Sequence, residues 1–151
     1  MPDRHDWNAW QDYEAVHSRI VQSYASFINR DELRPTVTSE AVSWEGVLHC
    51  TDGIEVHVEK QQEVRHRHGR PEVRTVWYSY HVLRRVGDHV INLFRYDNIH
   101  VQPGHPDSHH RHRFREDGSE IEPPAHVGAE RWPTLGDVLE EAFACWRKLA
   151  E

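Results

Sequence analysis

Cysteine is scarce in this chain: Cys50 and Cys145 are the two in 151 residues. They build no disulfide framework and no Cys-x-x-Cys pair, so a reduced cytoplasm is the expected compartment. Long apolar runs are missing as well. No stretch approaches the ~20 residues of a transmembrane helix, and Met1-Pro2-Asp3 does not open a signal peptide, so no membrane partner is expected. There is no internal repeat and no glycine-rich phosphate loop. Hydrophobic residues reach 37% at a mean hydropathy of -0.84, a low figure. Six Trp, five Tyr and four Phe nonetheless supply bulky core material. Charged residues make up 28%, which is polar without being the composition of a disordered chain. A chain of this length buries a core without staples and reads as a single domain, residues 1–151.

Charge is unevenly spread. Residues 1–60 carry five Lys and Arg against eleven Asp and Glu, residues 61–115 ten against five, and residues 116–151 three against nine. Nine of the fourteen histidines also fall in the middle segment. A basic centre between acidic flanks suits a phosphate-binding face. Arginines of a sheet paired with surrounding acidic helices would give the same pattern, and charge alone does not separate the two.

Periodicity predicts an α+β fold. A helix is expected over residues 6–30, with Trp10, His17, Ile20, Val21, Tyr24, Phe27 and Ile28 near helical spacing and Asp6 as its cap. Arg34-Pro35 breaks that pattern. Strands are expected from Val42 to Cys50 and Ile54 to Val64, joined at Thr51-Asp52-Gly53, where Asp-Gly tolerates positive φ. Arg65 to Pro71 reads as a basic turn, either contacting phosphate or simply solvated. Val73–Leu83 and Val90–Tyr96 are rich in β-branched and aromatic residues and flank a further hairpin. Links this short force antiparallel neighbours, giving a β-meander of about four strands within residues 42–115. Glu122-Pro123-Pro124 marks a loop. A C-terminal helix over 134–149, capped by Thr134, shows an apolar stripe, and both helices are expected to pack on one face of the sheet.

The chemistry concentrates between Val73 and Arg115. On an extended strand Arg95 and Asp97 share one face and Tyr96 the other; on the neighbouring strand His81 lies opposite Tyr78 and Tyr80. Register decides which faces coincide. A loop carrying His100, His105, His109, His110 and His112 follows. His110-x-His112, with His100 or His105 supplied from across the loop, suits zinc or another divalent ion. Without metal and without any cofactor, the same imidazoles suit acid–base cleavage of RNA, because a pKa of ~6.5 allows both proton roles near neutrality. A histidine-rich surface loop with no chemical role is the remaining reading.

The run YSYHVLRRVGDHVINLFRYDNIHVQPGHPDSHHRHRF resembles the TumE family, toxins of prokaryotic toxin–antitoxin pairs. The matching blocks are Tyr78, Tyr80 and His81; Arg95, Tyr96, Asp97 and Asn98; His100; and His110 with His112. With the TDGIEVHVEKQQEV hairpin, the likeness covers roughly residues 42 to 115. Two features depart from it: about forty residues precede the first strand, and Ser108 stands where a proline is expected. The resemblance implies a cytoplasmic toxin acting on RNA as a small metal-independent ribonuclease, neutralised by a cognate antitoxin. In that reading Arg95 meets phosphate, His81, His110 and His112 transfer protons, and Asp97 and His100 orient them. Tyr78, Tyr80, Tyr96, Arg111 and Arg113 are the expected substrate contacts, and the extra N-terminal helix suits either a homodimer arm or a replacement for contacts made by a partner. The alternatives from other classes are a histidine-bound metal hydrolase or metal-binding module, and a non-catalytic interaction protein.

Overall fold

A computed structural model of the chain describes residues 6–99, 108–128 and 131–149. Among these residues the elements run β1 (Asn8–Ala9), α1 (Trp10–Ser23), β2 (Ile28–Asp31), β3 (Arg34–Val37), β4 (Ala41–Cys50), β5 (Ile54–Arg67), β6 (Arg70–Val86), β7 (His89–Asp97), β8 (His110–Phe114), β9 (Glu120–His126) and α2 (Leu135–Leu149). All the strands join one antiparallel sheet in the order β2-β4-β5-β6-β7-β8-β9, with β3 also on β4 and β1 also on β6.

The α+β class and the two helices agree with the expectation, but the sheet has nine strands among the described residues rather than about four. The extra strands are short or carry residues with weak strand preference. Ile28–Asp31, expected inside the first helix, pairs with β4, and Arg34–Val37 pairs there too despite Pro35. Residues His110–Phe114, expected in a loop, pair with β7. Glu120–His126 carries Pro123 and Pro124 and lies at the end of the sheet, where a missing N–H leaves no ladder bond unmade. Pairing with a neighbouring strand, not intrinsic propensity, makes these segments strands.

Helix α1 is accordingly shorter than residues 6–30. Asp6 does not cap it: its Oδ1 accepts from Trp7 N, and Asn8–Ala9 pair with β6 before the helix begins. Thr134 does cap α2, with its Oγ1 accepting from Asp137 N while Asp137 Oδ2 accepts from Thr134 N. The basic turn is tighter than expected. Strands β5 and β6 run on to Arg67 and from Arg70, leaving His68 and Gly69, both at positive φ, as a two-residue turn.

Period-two alternation sorts the sheet into two faces. Val42, Trp44, Leu48, Val56, Val58, Tyr78, Tyr80, Val82 and Phe94 are buried with Leu135, Val138, Leu139 and Ala142 of α2 in one core. Helix α1 covers the same face, with Trp10, Tyr13 and His17 packed round Trp44. Phe27 meets Phe143 edge-on at 5.5 Å, and Trp146 Nε1 donates to Asp52 Oδ2 in the β4–β5 turn. Gly46 sits at φ 147° because a Cβ there would lie 2.1 Å from the Glu32 carbonyl oxygen. Among the described residues no helix is long and apolar enough to cross a membrane.

Candidate functional site on the helix-free face

The face without helices collects the polar residues of the same strands. Register aligns Val47, His57, His81, Arg95 and His112 in one row across β4 to β8. The next row runs Glu45, Glu59, Ser79, Asp97, His110 and His126. His81, Arg95, Asp97, His110 and His112, separated by up to 31 positions in sequence, therefore become neighbours by strand pairing alone. Two adjoining clefts follow these rows. One of about 460 Å³ is lined by His81, Asn92, Arg95, His112, Phe114, Glu120, Glu122 and Pro124. The other, about 340 Å³, shares His81 and Arg95 and adds Glu45, His57, Glu59 and Ser79.

Asp97 is the buried anchor, with no exposed surface. Its Oδ2 lies 2.9 Å from Arg95 Nε and 2.9 Å from His112 Nε2. These contacts are close but off the hydrogen-bond axis, so they act as ion pairs. Burial by itself would raise the Asp97 carboxyl; the cations of His112 and Arg95 outweigh it and hold the group below the ordinary carboxylate range. His112 shows the reciprocal effect. Asp97 first, and then Glu120 on Nδ1, raise its pKa against the opposing influence of burial. A carboxylate at each ring nitrogen favours the imidazolium.

His81 is driven the other way. Burial lowers its pKa, a hydrogen bond with Asn92 partly opposes this, and Arg95, His57 and His112 lower it further. Its Nε2 lies 2.8 Å from Asn92 Oδ1. With that oxygen accepting, Nε2 carries the proton and Nδ1 keeps a free lone pair. Asn92 reaches this position because the β6–β7 register slips between Val82 and Leu83, where one extra residue turns Asn92 from the core side to the His81 side. At the rim, Glu120 holds the Glu122 carboxyl above its ordinary pKa.

The other candidates part from this site. Tyr78 and Tyr80 are buried on the helix face, and Tyr78 stacks on Trp132 at 4.7 Å. Tyr96 also turns to that side, beside Arg111, which pairs with Glu141 of α2. Arg113 donates to the Pro123 carbonyl. The five expected substrate contacts thus lie across the sheet from the clefts. His110 faces the site side but is 1% exposed, with Nδ1 on the Ser108 carbonyl. His100 and His105 lie outside the described residues, and with them the metal set of His100, His110 and His112. Among the described residues no three His, Cys, Asp or Glu side chains converge on a common metal position.

Four of the ten arginines of the middle segment pair with glutamates: Arg65 with Glu72, Arg74 with Glu63, Arg85 with Glu55 and Arg111 with Glu141. The reading of sheet arginines paired with acidic helices describes Arg111 alone, through Glu141 of α2; the other three pair with glutamates of the sheet itself. Arg95 differs, because it lines both clefts. His57, Asn92 and Glu120 escaped the sequence reading as site residues. For His57 a signal existed in the polar half of the Ile54–Glu59 alternation; for Asn92 none did, since its face depends on the register slip.

No family profile, curated protein or solved structure matches the chain. Any functional reading therefore rests on the site's own geometry and on the resemblance of its sequence blocks.

Proposed function

We propose that the helix-free face is a metal-independent ribonuclease centre and that the protein is the toxin of a toxin–antitoxin pair. The observation carrying the chemistry is the row His81–Arg95–His112. Two imidazoles, one pushed toward neutrality and one held charged, flank an arginine across three adjacent strands. Environments that separate two titratable groups in this way assign the base and the acid. At a strand spacing of ~4.8 Å, the two backbones stand about 9–10 Å apart, room for one phosphodiester between the side chains.

In the proposed reaction His81 Nδ1 takes the proton of a ribose 2′-OH, whose oxygen attacks phosphorus. Arg95 stabilises charge on the phosphoryl oxygens. The bond to the 5′-oxygen breaks, and that oxygen displaces Glu120 from His112 Nδ1 and takes the proton held there. The products are a 2′,3′-cyclic phosphate and a 5′-hydroxyl. Asp97 positions Arg95 and His112 and touches no substrate. The toxin role and its control by a cognate antitoxin rest on the resemblance to TumE proteins.

The test is cleavage of an end-labelled oligoribonucleotide by pure protein in excess EDTA, beside a strand carrying one 2′-deoxyribose. We expect cyclic-phosphate ends, no cut at the deoxy position, and rates about 10²–10⁴ lower for His81→Ala and His112→Ala. Intact RNA, or cleavage indifferent to both substitutions, would sink the proposal. Growth arrest on induction, relieved by the same substitutions, tests the toxin role separately.

A further inference from the structure

On the other face of the sheet a different feature stands out: a buried lysine with no acidic partner. Lys60 is 2% exposed, and no carboxylate lies within ion-pair distance of it among the described residues. A lysine is almost never buried this deeply unless it is paired. Its Nζ donates to Tyr13 Oη at 2.5 Å and lies 5.1 Å from the Tyr13 ring, 5.2 Å from the Trp44 ring and 6.0 Å from the Tyr80 ring. Burial opposes the charge, while the Tyr13 hydroxyl that accepts from Nζ and the three aromatic faces around it favour the ammonium. A charged amine makes a poor nucleophile for carbonyls and a good anchor for an anion.

The lysine also lines a cavity. About 420 Å³ lies between α1, the sheet and the start of α2, within the range of small-molecule sites. Its walls are mostly apolar or aromatic, with Val16 and Ile20 on one side and Trp132, Pro133 and Leu135 on the other. The titratable groups facing it are Tyr13 and His17 from α1, Lys60 and Tyr80 from the sheet, and Asp137 from α2. Burial and the Lys60 charge lower His17 to about 4, so the imidazole is neutral and does not compete as a cation. Asp137 is turned to the α2 cap, where its Oδ2 accepts from Thr134 N.

We infer that this cavity binds a small aromatic or apolar carboxylate, its anionic end on Lys60 and its body among the α1 and Trp132 walls. The inference is independent of the ribonuclease reading, because the two sites occupy opposite faces of the sheet. Such a ligand would supply the counter-charge Lys60 lacks and bridge α1 to α2.

The experiment compares 2-naphthoate with uncharged 2-naphthamide by isothermal titration on the full chain. Lys60→Met keeps the side-chain length and removes the charge; Val16→Trp fills the cavity and leaves Lys60 in place. We expect wild type to bind naphthoate at least roughly tenfold tighter than the amide, Lys60→Met to abolish that preference, and Val16→Trp to bind neither. Absence of naphthoate binding by wild type, equal affinities for the two ligands, or naphthoate binding that survives both substitutions would each overturn the inference. If Lys60→Met does not fold, the wild-type selectivity and the Val16→Trp loss still decide it.

Discussion

The two faces of the β5–β6–β7 strands are built from alternate residues of one sequence and behave as different materials. On the helix side Tyr78, Tyr80, Val82 and Phe94 are locked between sheet and helices. On the open side their immediate neighbours Ser79, His81 and Arg95 line two clefts, with Asp97 buried beneath them. The helix face holds its shape through apolar burial, the open face through charge pairs centred on Asp97. Each face also contains one element that runs against its own character: a buried cation among aromatics on the first, and a buried carboxylate beneath solvent-facing histidines on the second.

Substitutions at adjacent positions test this division most sharply. Phe94→Ala should destabilise the fold by about 3–5 kcal/mol in urea or guanidinium unfolding, as truncation of a buried aromatic does. His81→Ala, on the opposite face of the paired strand, should cost less than ~1 kcal/mol while removing activity. Comparable losses of stability from both would mean that the faces are not energetically distinct.

Asp97→Asn comes next in size. It leaves the Arg95 and His112 cations without their shared carboxylate and should cost roughly 3 kcal/mol, the scale for breaking a buried ion pair. Its distinctive readout is the pH profile: without Asp97, the pKa of His112 should fall toward the ordinary value.

The pH dependence of His112 itself gives a smaller effect with a definite sign. Its folded pKa is raised, so its stabilisation is complete below the unfolded value of ~6.5 and fades as pH rises through the folded value. The stability gap between wild type and His112→Gln should therefore shrink on going from mildly acid to alkaline solution. A gap that widens would contradict the charge-paired ring. Asp97, with a depressed pKa, contributes in the opposite sense, above ~3.9 and not in stronger acid.

The smallest expected change is at the α2 cap. Thr134→Ala removes the oxygen that accepts from Asp137 N and should cost about 1 kcal/mol, with the proposed ribonuclease activity unchanged because the cap belongs to the helix face. Loss of activity there would show that the faces communicate.

Much of the open face was legible residue by residue. The alternation that puts Arg95 and Asp97 together and Tyr96 opposite is local geometry, and the structure repeats it. The Asn that completes RYDN serves the fold instead. Asn98 Oδ1 accepts from Tyr78 N and its Nδ2 donates to the Val76 carbonyl, pinning the end of β7 to β6. Nothing in the residue types distinguishes that peg from a site residue.

What the sequence by itself determined is the set of local preferences: the β4–β5 and β6–β7 turns, the α2 stripe with its Thr134 cap, and which side chains share a face along each strand. These follow from turn chemistry and from periods of 2 and 3.6, which act over a few residues. Tertiary structure alone decided the register. It placed His81 beside Arg95 and His112, turned Asn92 over at the slip in β7, and drew Ile28–Asp31, His110–Phe114 and Glu120–His126 into strands. It also left Lys60 on the buried side of a strand whose neighbours Glu59 and Gln61 are exposed. The physical reason is common to all of these: pairing energy belongs to contacts between strands, so it is not defined until the partner strand is in place.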